Sequence, residues 1–64
     1  MNIIINGETT DFNGDTVADL LAFRQPERPF SVALNQQFVP KQDYAATVLQ
    51  AGDAVEIVRP VAGG

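Results

Sequence analysis

Asn6-Gly7 stands between two short runs of strand character, Met1-Asn2-Ile3-Ile4-Ile5 and Glu8-Thr9-Thr10-Asp11-Phe12. Both turn residues tolerate positive φ, and a two-residue turn built that way has the twist that the flanking strands need. The spacing predicts an antiparallel hairpin. A second turn cluster follows at Asn13-Gly14-Asp15. Thr16 then precedes an acid three residues on, Asp19, a variant of the capping box, so a helix is expected to start at Thr16. Val17, Leu20 and Leu21 fall at i, i+3 and i+4 and share one buried face. Gln25 precedes Pro26, where the α conformation is disfavoured, so the helix is short.

The polar connector Arg24-Gln25-Pro26-Glu27-Arg28-Pro29 leads into Phe30-Ser31-Val32-Ala33-Leu34, whose period of two marks a strand. Asn35-Gln36-Gln37 reads as a turn into a shorter strand around Phe38-Val39, closed by Pro40. Residues 41–50 carry mixed signals and are expected to be largely irregular, with Tyr44 and Leu49 as packing candidates. Gly52-Asp53 turns the chain into a last strand, Ala54 to Arg59, which Pro60 ends for want of an N–H.

A hairpin, a helix crossing one sheet face, and further strands returning beside the first bring all the apolar faces together. The expected fold is therefore α+β, a β-grasp or ubiquitin-like mixed sheet of four to five strands packed on one short helix. Residues 1–60 would form the domain and residues 61–64 a flexible C-terminal tail. The expected core is Ile3, Ile5, Phe12, Val17, Leu20, Leu21, Val32, Leu34, Val39, Leu49, Val55 and Ile57. Alternation sends Ile4, Glu56 and Val58 to the opposite face. Ile4 and Val58 are there either as ordinary exposed apolar surface or as a docking patch beside the tail.

Sixty-four residues allow one domain. The absence of Cys and His removes disulfides, thiolate nucleophiles, imidazole bases and most zinc ligand sets, so no catalytic residue and no metal site is expected. Packing alone must hold the fold, and 45% apolar residues are too many for a disordered chain of this length. The formal net charge is −4, and the four cations Arg24, Arg28, Lys41 and Arg59 are scattered, which argues against a nucleic-acid partner. Neither a secretory leader nor a membrane span is legible, and a cytoplasmic location is expected. No Gly-x-x-x-x-Gly-Lys loop is present to hold ATP.

The sequence closes on Val61-Ala62-Gly63-Gly64. Such an ending is either a frayed terminus or a chemical handle, because the α-carboxyl is ionised at neutral pH and no side chain obstructs a partner gripping the last residues. Taken in order, Ile3-Ile4-Ile5-Asn6-Gly7-Glu8, Thr16-Val17 with Leu20-Leu21, and Ala33-Leu34-Asn35 with Val39-Pro40 form a distinctive series. It continues through Leu49, Gly52-Asp53 and Val55-Glu56-Ile57-Val58 to the final Val61-Ala62-Gly63-Gly64. In spacing and length this series resembles the ThiS family, the bacterial sulfur carriers of thiamine biosynthesis, over essentially the whole chain.

The resemblance implies a carrier whose Gly64 carboxylate is adenylated with ATP and then converted to a thiocarboxylate by a sulfur nucleophile. It implies as partners an adenylyltransferase related to ubiquitin-activating enzymes, a sulfurtransferase or cysteine desulfurase upstream, and thiazole synthase downstream. ATP would be used by the activating partner, with no cofactor bound by this chain. On this reading Gly64 is the acceptor, while Gly63, Ala62 and Val61 thread a narrow channel. Pro60 stiffens the tail exit, and Arg59 either pairs with an acid of the activating enzyme or is a solvated strand-end charge. Two alternatives share these features: the small subunit of molybdopterin synthase, also a sulfur carrier, and, from another class, a ubiquitin-like protein modifier whose tail forms an isopeptide with a target lysine. The short length and the segment from Asn35 to Pro40 favour the thiamine carrier. A plain β-grasp interaction domain with inert glycines is the remaining alternative.

Overall fold

A computed structural model describes residues 1–59. The expectations for Pro60, Val61, Ala62, Gly63 and Gly64, and for a separate tail, lie outside the described residues. Strands β1 (Asn2–Ile5) and β2 (Glu8–Asp11) form the hairpin, followed by helix α1 (Val17–Arg24) and a second hairpin of β3 (Ser31–Leu34) and β4 (Gln37–Val39). A 3₁₀ segment (Lys41–Ala46) leads to β5 (Ala54–Val58). The sheet order is β2-β1-β5-β3-β4, with β1 and β5 parallel and the other neighbours antiparallel. The strand latest in the chain thus lies at the centre. This is the β-grasp arrangement, a mixed five-stranded sheet with one short helix.

Local chemistry accounts for most of the elements. Asn6 and Gly7 have φ of 50° and 83°, as the tight turn between Ile5 and Glu8 requires. Thr16 caps α1 from an extended conformation and completes the capping box with Asp19. The Asp19 carboxylate accepts from the Thr16 and Asp15 backbone N–H groups, each at 3.0 Å, and the Asp19 N–H donates to Thr16 Oγ1 at 3.2 Å. These bonds favour the charged form and hold the Asp19 carboxyl below its ordinary pKa, the Asp15 N–H being the largest cause. At the other end Gln25 turns left-handed and donates its N–H to the Leu21 carbonyl at 2.7 Å, closing the helix before Pro26.

Nine side chains are buried, Ile3, Ile5, Phe12, Val17, Leu20, Val32, Val39, Leu49 and Val55, all of them in the expected core. Leu21, Leu34 and Ile57 are only partly buried and pack against its margin. Tyr44 joins them at the margin.

The segment expected to be largely irregular is more ordered than its sequence signals. Lys41–Ala46 winds into 3₁₀ turns that start with the Asp43 N–H donating to the Pro40 carbonyl at 2.9 Å. Mixed polar and small residues give no apolar period to announce such a turn. Beyond it, the Leu49 N–H donates to the Asp15 carbonyl and the Val17 N–H to the Thr47 carbonyl, which binds the segment to the start of α1. Two boundaries also shift: β3 starts at Ser31 rather than Phe30, and β5 ends at Val58 rather than Arg59.

Candidate functional site

With no thiol or imidazole in the sequence, chemistry has to be sought in what the surface presents and in where β5 leads. Among the described residues no group of three or more Asp, Glu, His or Cys is placed to hold a metal ion. No helix among them is long and apolar enough to cross a membrane.

Because side chains alternate along a strand, β5 directs Val55 and Ile57 toward the helix and Ala54, Glu56 and Val58 to the open face. Register then assigns the neighbours: Ile4 lies beside Ala54, Ala33 beside Glu56, and Ser31 beside Val58. Ile4 and Val58 share that face as expected, but the structure does not bring them together. Ile4 is opposite Ala54, four residues short of Val58, a separation of about 13 Å along the strand. Glu56 lies between them. Ile4 is half-buried, whereas Val58 is 52% exposed.

A third apolar residue dominates this face. Phe38 is opposite Ala33 and 68% exposed, more than any other large hydrophobic among the described residues. It is absent from the sequence-derived candidates, although the signal was present: once Val39 is assigned to the core, strand alternation turns Phe38 outward.

At the root of the tail, Arg59 Nη2 lies 3.5 Å from Glu27 Oε2 in the connector after α1, with both side chains largely exposed. The pair is intramolecular, and its exposure makes it weak. Arg24 lies 3.9 Å from Glu8 on the same side. Asn6, Glu8, Arg24, Glu27, Ile57 and Arg59 line a shallow cleft at this end of β5. A more apolar groove between α1 and the 3₁₀ segment, lined by Leu21, Pro29, Phe30 and Tyr44, opens on the helix side of the sheet, away from the face that carries Val58 and Phe38.

Among the described residues the open sheet face presents exposed apolar side chains, and no group of three or more potential metal-binding side chains is gathered. The sequence pattern of the ThiS family matches residues 3–64. The chain is 33% identical over 66 aligned positions to the sulfur carrier protein ThiS of Escherichia coli K12, covering all of both chains. It is 38% identical over the same alignment length to a thiazole synthase of Paramagnetospirillum magneticum, where it spans all of this chain but only 20% of that protein. The crystal structure of the thiamine biosynthesis protein ThiS of Geobacter metallireducens superposes with a TM-score of 0.87 at 29% identity over all of both chains. The solution structure of a thiamine biosynthesis protein from that organism gives 0.79 at 29%, covering all of this chain and 88% of the other. With a family match over nearly the whole sequence and the same fold in its relatives, the chain belongs to the ThiS family.

Proposed function

We propose that this chain is a sulfur carrier for thiamine biosynthesis, bearing the sulfur as a thiocarboxylate on Gly64. The observation that carries the reading is the end-to-end match with the Escherichia coli sulfur carrier. A carboxylate is a poor acyl electrophile, so sulfur transfer requires a better leaving group. The Gly64 carboxylate attacks the α-phosphate of ATP, pyrophosphate leaves, and a sulfur nucleophile then displaces AMP from the acyl adenylate.

The chain itself is the substrate of these steps and not their catalyst, in keeping with a sequence that has no ATP loop, thiol or imidazole. An adenylyltransferase activates Gly64 and a sulfurtransferase or cysteine desulfurase supplies sulfur, all in the cytoplasm. Thiazole synthase receives the sulfur. A segment similar to this chain within a protein named thiazole synthase supports that last pairing. Partners dock on the open sheet face through Ile4, Val58 and Phe38, next to Arg59 and Pro60. Val61, Ala62 and Gly63 thread the narrow approach to the active centre, where a side chain on Gly63 would obstruct.

The test is incubation of the full chain with the adenylyltransferase, ATP and a sulfur source, followed by mass spectrometry of intact protein and fragments. Oxidation of Met1 changes the mass almost as oxygen-to-sulfur exchange does, so fragment ions must place the change at Gly64. A tail that stays unmodified, with a Gly64 deletion that still supports thiazole formation, refutes the reading.

A further inference from the structure

β5 delivers the tail, and whatever holds its last residues decides where the tail starts. On one flank β3 stays paired as far as Val58. On the other flank β1 pairs only through Ile5 and Val55, because the chain turns away at Asn6-Gly7. The last backbone bond there runs from the Asn6 N–H to the Val55 carbonyl, 2.9 Å. Were β1 to continue, the next rungs of the parallel ladder would join Ile57 to the carbonyl of residue 6 and the N–H of residue 8.

The Asn6 side chain occupies both rungs. Its Oδ1 accepts from the Ile57 N–H at 2.8 Å, and its Nδ2 donates to the Ile57 carbonyl at 3.3 Å. A carboxamide carries an acceptor and a donor in one plane, as a peptide group does. A turn residue with left-handed backbone thus extends the sheet by one step, across 51 positions of sequence.

We propose that Asn6 is a positioning residue for the reaction at Gly64. By filling both backbone groups of Ile57, it makes pairing with a partner strand start at Arg59 and no earlier. From Arg59 the five residues to Gly64 reach at most roughly 17 Å. A partner strand that took its first rung at Ile57 in place of Arg59 would be shifted by two residues in register and displace Gly64 by about 7 Å, enough to remove its carboxylate from a reaction centre. This role rests on the carrier reading above.

The test uses the full chain in ATP–pyrophosphate exchange with the adenylyltransferase, alongside amide hydrogen exchange at Ile57. Asn6→Gly keeps the positive-φ turn and removes both side-chain bonds; Asn6→Asp keeps the acceptor only; Thr16→Ala removes a helix cap elsewhere and serves as a stability control. Asn6→Gly is expected to lose protection at Ile57 and to lower kcat/KM by about 3- to 10-fold, the worth of one to two exposed hydrogen bonds, with most of the loss in kcat. Asn6→Asp should fall between it and the parent, and Thr16→Ala should react at the parental rate. An adenylated parent with Asn6→Gly equally fast, unchanged Ile57 protection, or an equal loss in Thr16→Ala overturns the positioning role alone. A parent chain that is not adenylated overturns the carrier reading and this role with it.

Discussion

Gly14 needs no left-handed backbone, yet the fold has no room for a side chain there. Among the described glycines the positive φ values belong to Gly7 and Gly52, around which a Cβ would meet nothing. A Cβ on Gly14 would overlap the tip of the Phe12 ring and come within 2.8 Å of Asp19 Cβ. Phe12 is 3% exposed, and its ring centroid lies 6.0 Å from that of Phe23 at a tilt of 53°. The ring can yield only by leaving the core or by pushing on α1 at its capping residue. Overpacking of this kind costs about 1–3 kcal/mol. Against a total stability of about 3–10 kcal/mol for a chain of this size, Gly14→Ala should lower Tm by between about 4 and 20 °C. The assay is thermal unfolding followed by circular dichroism, repeated in a Phe12→Leu background. Leu lacks the ring atoms that collide, so the penalty of Gly14→Ala should shrink by about 1 kcal/mol there. A Gly14→Ala variant that melts with the parent refutes the steric account, and an equal penalty in both backgrounds removes Phe12 as its cause.

The capping box makes stability depend on acid. The Asp19 carboxyl is held below its ordinary pKa, so its contribution is complete above the unfolded value, near pH 4, and is lost as pH falls through the lower folded value. Denaturation midpoints measured between pH 2 and 6 should show this loss in the parent and not in Asp19→Asn, while Thr16→Ala should cost about 1 kcal/mol at neutral pH. On the open face, Phe38→Ser and Val58→Asp alter largely exposed residues and should change stability by no more than about 0.5 kcal/mol. Both should raise KM for the chain as substrate of the adenylyltransferase, measured by ATP–pyrophosphate exchange; unchanged KM in both variants would remove that face as the docking surface.

Beyond the tail, β5 is held at both ends by asparagines that follow strands. Asn35 Oδ1 accepts from the Ala54 N–H at 2.9 Å, and its Nδ2 donates to Asp53 Oδ1 at 3.2 Å. Asn6 does the corresponding work at Ile57. Both asparagines have φ near 50°, so the turn that reverses each strand also frees a carboxamide to bond the central one.

What the sequence determined by itself is what depends on neighbours along the chain. Asn6-Gly7 specifies its hairpin through backbone sterics, Thr16 and Asp19 specify the helix start through hydrogen bonds three residues apart, and all nine buried side chains fall in the core expected from the apolar pattern. The family is legible there too.

The tertiary structure alone decided what depends on residues far apart. The clamp of Asn6 on Ile57 spans 51 positions, and the crowding of Gly14 exists only because Phe12 folds into the core. The 3₁₀ segment is pinned by bonds between its C-terminal extension and the start of α1. Val58 and Ile4 are kept apart by the register of β5 against β1. Local propensities are short-ranged and can be read residue by residue. The register of β5 against β1, the crowding at Gly14 and the substitution of a side chain for backbone at Ile57 arise only once the chain has packed.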